Sequence, residues 1–110
     1  MVNNEEKLNR VFHALSDPTR RKILERIASS DVTVGELAEP FSISAPAISK
    51  HLKTLEQASL INRVKEGKIH RFQMNTQPLQ SAQTTINQLT TFWLQRLANL
   101  ENFLNQDTDK

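Results

Sequence analysis

One segment near the middle of the chain, residues 44–55, combines an apolar helical face with a small, hydroxylated and basic one. Ile48, Leu52 and Leu55 recur at i, i+4 and i+7, which predicts a helix with one buried face. The opposite face carries Ser44, Ala45, Ser49, Lys50 and Lys53. Such a face can come close to a DNA groove, hydrogen-bond base edges and neutralise phosphate. The segment is typical of a DNA recognition helix, although an ordinary amphipathic surface helix has the same pattern.

The residues just upstream predict the other half of a helix-turn-helix, over about 33–56. Thr33 and Glu36 form a capping-box pattern, which starts a short helix at about 34–39. Pro40 and the following residues end that helix. Ser44 then serves as N-cap of the recognition helix, and Pro46 fits its first turn.

The residues just downstream, about 60–74, predict a β-hairpin folded about Glu66 and Gly67, where glycine can adopt positive φ. Four basic residues lie on it: Arg63, Lys65, Lys68 and Arg71. A mobile basic hairpin beside a recognition helix is called a wing, and we expect it to contact phosphates.

Two helices precede this unit in the sequence. The spacing of Leu8, Val11, Phe12 and Leu15 predicts a first helix over 4–15. Asp17 as N-cap and Pro18 at the first helical position predict a second helix, which ends near 29–30. Its expected buried stripe is Ile23, Leu24, Ile27 and Ala28. A short strand is expected at 31–32.

A long final helix is predicted over about 78–104, followed by a frayed polar tail at 105–110. At ~1.5 Å per residue it would span roughly 40 Å, and its apolar stripe exceeds what one small core needs. We therefore expect a homodimer that packs through the first and last helices. The expected interface residues are Leu8, Val11, Phe12, Leu89, Phe92, Trp93, Leu97 and Leu100. The predicted fold class is mainly α with a small β-hairpin, a winged helix-turn-helix in a single domain, 1–110.

Composition narrows the possible functions. The net charge is only +2, but residues 44–71 hold six basic and two acidic side chains, and a second basic cluster lies at 20–26. A basic face on an otherwise acidic body favours a polyanion, here double-stranded DNA. The chain has no cysteine, so it has no disulfide and no thiolate metal site. Residues 1–7 do not read as a signal peptide, and no segment has the ~18 apolar residues of a membrane span, so we expect a cytoplasmic protein without a membrane partner.

Four motifs together resemble the ArsR-type (ArsR/SmtB) winged-helix repressors of bacteria. These are residues 17–24 (DPTRRKIL), 34–38 (VGELA), 44–55 (SAPAISKHLKTL), and the wing start 60–63 (LINR) with its tip at Glu66 and Gly67. Ser59 stands where the family usually has glycine. The resemblance implies a homodimeric regulator that binds an inverted repeat near a promoter and blocks RNA polymerase.

The resemblance does not extend to the metal-responsive members of that family. Those members have cysteines in the first helix of the helix-turn-helix, or acidic and histidine ligands in the C-terminal helix. This chain has VGELAEPF at the former, and neither His nor Cys in the latter. His13, His51 and His70 fall on three different predicted elements. We therefore expect no metal and no cofactor, and an inducer, if one exists, stays unidentified.

The candidate DNA-binding residues follow from the recognition helix and the wing. They are Ser44, Ala45, Pro46, Ala47, Ser49, Lys50, His51, Lys53, Arg63, Lys65, Lys68, His70 and Arg71. One alternative is a regulator with an organic ligand bound in an apolar cavity near Phe12, Phe92 and Trp93. Another is a winged helix that contacts only proteins. An enzyme is disfavoured, because glycine at Gly35 and Gly67 alone forms no phosphate-binding loop and no nucleophile elbow is present.

Overall fold

The computed structural model describes residues 3–29, 32–38, 40 and 42–108. These residues form five helices and three short strands. In chain order they are α1 (Asn4–Leu15), α2 (Pro18–Ser29), β1 (Val32–Thr33), α3 (Val34–Ala38), α4 (Ala45–Gln57), β2 (Ile61–Glu66), β3 (Ile69–Met74) and α5 (Gln77–Thr108). This is the mainly helical winged helix-turn-helix that the sequence predicts. Asp31, expected in the first strand, Glu39, expected at the end of the short helix, and Phe41, expected at the turn, lie outside the described residues.

Side-chain caps start the helices at the predicted positions. Asp17 Oδ2 accepts the backbone N–H of Arg20 at 3.0 Å, and Ser44 Oγ accepts that of Ala47 at 3.3 Å. The Arg20 N–H is the main cause that holds the pKa of the Asp17 carboxyl below its usual value. Because the folded-state pKa is lowered, this cap stabilises the fold at neutral pH, and its contribution is lost as the pH falls through that pKa.

The capping box before α3 differs from the expected one. Thr33 Oγ1 accepts the Glu36 N–H at 3.3 Å as predicted, but the Glu36 carboxylate bonds the Thr33 hydroxyl, at 3.0 Å, rather than the Thr33 backbone. The reason is that Thr33 belongs to β1, where it pairs with Arg71 of β3.

The three strands form one antiparallel sheet in the order β1-β3-β2. Residues 67 and 68 connect β2 to β3, and Gly67 has the positive φ, 61°, that this turn needs. Ser59, in the turn between α4 and β2, also has positive φ, 60°. The Asn75 Nδ2 group donates to the Ser59 carbonyl at 3.0 Å. Serine thus adopts the left-handed backbone conformation at the position where the family usually has glycine.

All the helices and strands contribute buried residues to one apolar core. The largest fully buried side chains are Phe72, Ile23, Leu37, Ile48, Leu52, Leu55, Leu60 and Ile61. Two predicted positions differ. Ala28 is exposed, because the buried stripe of α2 ends at Ile27. Val11, expected at the dimer interface, is 3% exposed and lies in the core of its own protomer.

The last helix extends far beyond this core. Its first turns pack on α1, and Ala82 is its last buried residue. From residue 86 to residue 106 every side chain is exposed, and the chain as a whole measures 76 × 35 × 21 Å. The tail predicted to fray continues the helix to Thr108, since no glycine or proline interrupts it; residues 109–110 lie outside the described part. No helix in that part is both long and apolar enough to cross a membrane.

Candidate nucleic-acid interface

The fold presents the polar face of α4 outward. Its apolar face is completely buried, which fixes how the helix is rotated about its axis. The outward face is exposed at Ser44, Ala45, Pro46, Ser49, Lys50 and Lys53, and Ala47 is half-buried at its edge. The ammonium groups of Lys50 and Lys53 have no ion-pair partner among the residues that the structure describes. Two unpaired cations therefore stand among small side chains on a rigid helix, as contact with a DNA groove requires.

His51 lies at the edge of this face and is directed toward the start of α2. Its Nδ1 atom is 3.4 Å from Arg20 Nη1 and 4.0 Å from Asp17 Oδ2. The ring is half-buried. This position suits packing within the protomer, and the contact of His51 with DNA stays a prediction.

The second basic cluster, at 20–26, holds helices together. Arg20 donates to the carbonyls of Ala14 (Nε, 2.8 Å) and His13 (Nη2, 2.9 Å) at the end of α1. Arg21 Nη1 donates to the Leu15 carbonyl at 2.7 Å. Guanidinium groups suit the last carbonyls of a helix, which carry partial negative charge. Arg20 and Arg21 therefore have partners within the protomer, and contact of this cluster with a polyanion stays a prediction.

The wing, β2 with β3 and their connecting turn, divides its basic residues between two faces. In the observed register Arg63 lies opposite Phe72 and Lys65 opposite His70, so these four residues share one face. Arg71 lies on the other face, where its Nε is 3.6 Å from Glu66 Oε2. Lys68 occupies the turn. The four cations that the sequence predicts in one basic patch are thus separated by the alternation of the strands.

Both terminal nitrogens of the Arg63 guanidinium have partners within the protomer. Nη2 donates to Glu56 Oε1 at 2.7 Å, and Nη1 lies 3.0 Å from Nδ1 of His70. The guanidinium carbon is 5.0 Å from the centre of the Phe72 ring, a cation–π distance. Because arginine can only donate, the His70 Nδ1 is the acceptor in this contact. Lys65 and Lys68 are the wing cations without an ion-pair partner in the described structure.

Glu56 is the residue at this site that sequence reasoning missed. In the sequence it stands out only as one of two acids among six basic residues in 44–71. An acidic residue in such a basic segment could have indicated an ion pair with a nearby cation, because an unpaired carboxylate would repel DNA phosphates.

The clefts that the structure describes differ from the apolar cavity considered for an organic ligand. One, of about 670 Å³, lies between α1, the end of α4 and the start of α5, and is lined by polar and apolar surface in similar amounts. A groove of about 460 Å³ along α5 is bordered by Phe92 and by polar residues. A third, of about 410 Å³, lies between α1 and the end of α4. None of these three clefts is lined by Phe12 or Trp93. In the described ranges, no three His, Cys, Asp or Glu side chains come together as metal ligands would.

Comparison with known proteins places this geometry among transcriptional regulators. Residues 15–64 match the family described as "Helix-turn-helix domain". The chain is 47% identical over 75 residues to the transcriptional repressor SdpR of Bacillus subtilis. The aligned residues cover 68% of this chain and 83% of SdpR. It is 34% identical over 101 residues to the HTH-type transcriptional regulator Rv2034 of Mycobacterium tuberculosis, with 92% of each chain covered.

The solved structures agree in the fold. An ArsR-like transcriptional regulator from Rhodococcus sp. RHA1 superposes with a TM-score of 0.86 at 31% sequence identity. The match covers 96% of this chain and 97% of that one. The similarity therefore includes the long C-terminal helix as well as the helix-turn-helix and the wing.

Proposed function

We propose, because this chain belongs to the ArsR family of winged helix-turn-helix transcriptional regulators, that it represses transcription as a homodimer bound to an inverted-repeat operator. That it is a DNA-binding regulator and not an enzyme follows from the family. The homodimer, the operator and the residues that contact DNA are the content of the proposal. We further propose that it acts in the cytoplasm.

The observation that carries the proposal is the outward face of α4, with Lys50 unpaired among small residues. We assign base contacts in the major groove to this face. These residues are Ser44, Ala45, Pro46, Ala47, Ser49 and Lys50. Lys53 at the edge of the helix, with Lys65 and Lys68 on the wing, would hold phosphates and set the register on the duplex.

The homodimer is supported by the projecting part of α5. Nine large apolar side chains are exposed on it: Ile86, Leu89, Phe92, Trp93, Leu94, Leu97, Leu100, Phe103 and Leu104. An apolar surface of this extent marks a protein interface. We retain Leu8, Phe12, Leu89, Phe92, Trp93, Leu97 and Leu100 in the proposed interface and omit Val11. A two-fold axis through it would present two recognition helices to half-sites about one helical turn, ~34 Å, apart.

Metal sensing is not part of the proposal. The family's cysteine ligands would lie in α3, which reads VGELA here, and α5 contains neither His nor Cys. Thiolate and imidazole are the ligands that zinc and related ions select. A response to such ions would need ligands from elsewhere in the chain.

Fluorescence anisotropy tests the proposal directly. The purified protein is titrated against the DNA upstream of its own gene and against a scrambled duplex of equal length, over a series of salt concentrations. We expect a preference of ~10³ or more for the upstream duplex. The slope of log K against log salt should be near −5 if about six phosphates are neutralised. Equal, weak affinity for both duplexes would contradict autoregulation, and absence of binding at low salt would contradict DNA binding by the isolated protein.

Two single substitutions separate base reading from phosphate binding. We expect Lys50→Ala to change which operator bases are preferred, because its ammonium group faces base edges. Lys68→Ala should weaken binding to operator and random DNA alike and make the salt slope shallower by about 1 for each phosphate that is no longer neutralised. The measurement is the affinity of each variant for a set of operators with single base changes. The same effect of both substitutions on specific and random DNA would disprove this assignment.

A further inference from the structure

Glu56 and Arg63 connect the recognition helix to the wing. Glu56 lies in the last turn of α4, and Arg63 lies on β2, the outer strand of the sheet. Their side chains meet at 2.7 Å. In the described structure this is the one ion pair that joins α4 to the wing.

We propose that this pair is a clamp that holds the wing in position for DNA, so that Glu56, although an anion, strengthens DNA binding. Arg63 is then a positioning residue rather than a phosphate ligand. The proposal rests on the proposed DNA-binding function and deepens it, since it assigns opposite roles to two cations of the same wing face: Arg63 positions the wing, and Lys65 binds phosphate.

The connections of the wing to the rest of the protein explain why a clamp is needed. Pairing with β1 involves only Arg71 and Phe72, in the middle of β3. β2 has β3 as its neighbour on one side and no strand on the other. Residues 65–70, toward the tip, pair only within the hairpin. Arg63 lies opposite Phe72, so its bond to Glu56 holds the unpaired edge of the wing to α4 at the level where β1 holds the other edge.

The geometry of Arg63 suits positioning better than phosphate binding. Its two terminal nitrogens are directed to different groups, Glu56 and His70, and its plane is close to the Phe72 ring. These three contacts orient the planar guanidinium toward the protomer. A phosphate that drew the guanidinium away from the carboxylate would leave Glu56 facing the DNA as an uncompensated anion.

The clamp and simple electrostatics predict opposite effects on DNA affinity when the charge of Glu56 is removed. By Coulomb's law alone, removal of an acid close to the DNA backbone strengthens binding. The clamp predicts the opposite for Glu56→Gln, because the amide no longer holds the guanidinium as an ion pair. We expect Glu56→Gln and Arg63→Gln each to weaken operator binding about threefold to fivefold, which corresponds to about 0.6–1 kcal/mol.

The double variant separates coupled from independent action. If the two residues act as one clamp, Glu56→Gln with Arg63→Gln should bind about as well as either single variant. Arg63→Lys should not restore affinity, because a single ammonium cannot reach Glu56 and His70 as the fork does. Glu66→Gln is the matched acid control on the wing and should leave binding unchanged or tighten it. Lys65→Gln is the matched cation control and should make the salt slope shallower, whereas Arg63→Gln should not.

Amide hydrogen exchange of the free protein provides a readout that does not depend on DNA. Amides of β2 should exchange faster in Glu56→Gln and Arg63→Gln than in wild type, and at the wild-type rate in the two controls. Both residues of the pair are about one-third exposed, and pairs this exposed contribute little to global stability. All variants should therefore keep the wild-type thermal midpoint.

Each result has a distinct meaning. Failure of the wild type to prefer its operator counts against the proposed function and leaves the exchange experiment to decide on the clamp. Tighter operator binding by Glu56→Gln, additive losses in the double variant, or unchanged exchange in β2 would overturn the clamp while DNA binding stands.

Discussion

Replacement of Leu97 by glutamate is expected to separate the protomers and to weaken operator binding at least a hundredfold. Leu97 lies near the centre of the exposed stripe of α5, between Trp93 and Leu100 at helical spacing. A carboxylate there would have to be buried against the apolar face of the partner, without a counter-ion, when the dimer forms. A monomer engages one half-site and loses the 10²–10⁴-fold gain that linkage of two sites provides.

Sedimentation equilibrium and operator anisotropy, performed on the same samples, measure both effects. Asn102→Glu is the matched control, since it adds the same charge to the same helix on the face opposite the stripe at ~100° per residue. It should remain dimeric and bind normally. A Leu97→Glu protein that stays dimeric with normal affinity would show that the two protomers associate through another surface.

Phe72→Ala should remove about 3–5 kcal/mol from the free energy of unfolding, the range observed when a buried phenylalanine is truncated. Its ring is 0% exposed and belongs to the central strand of the sheet, opposite both Val32 and Arg63. The substitution leaves a cavity and also removes the surface over which the Arg63 guanidinium lies. Because domains of this size are stable by only about 5–15 kcal/mol, a large part of the stability is at risk.

Urea denaturation, followed by circular dichroism at a fixed protein concentration, measures this loss. The concentration must be fixed because the proposed dimerisation would contribute to the apparent stability. Ile69→Ala is the control, since it removes an aliphatic side chain from the same strand at an exposed position. It should change stability by less than about 0.5 kcal/mol. A loss below about 1 kcal/mol for Phe72→Ala would mean that the core does not depend on this ring.

The parts of the fold that depend on local signals were predictable from the sequence. Asp17 and Ser44 mark helix starts through bonds to amides three residues away, and the glycine at 67 marks the hairpin turn. Period and capping act over a few residues, so one sequence contains them. The end of α5 was predicted too early, because a polar sequence without glycine or proline does not by itself end a helix that is already formed.

The parts that depend on distant contacts were not predictable in this way. Charge counts assigned Arg20, Arg21 and Arg63 to a polyanion, but each of them bonds a group six or more residues away on another element. Similarly, helical spacing places Val11 and Phe12 together on an apolar stripe without showing that the first is buried in the protomer and the second is exposed. Which charge is paired, and which apolar face is covered, follows only from the tertiary arrangement.

The projecting half of α5 also bears on how the amount of protein controls its activity. The radius of gyration is 20.1 Å, whereas a compact chain of this length has about 13 Å. A protomer of this shape leaves its longest apolar surface in water, and in the proposed dimer a second copy would cover it. Under the proposed dimer, operator occupancy at low abundance would rise with the square of protomer concentration, so that a modest change in synthesis or degradation would give a steeper change in repression.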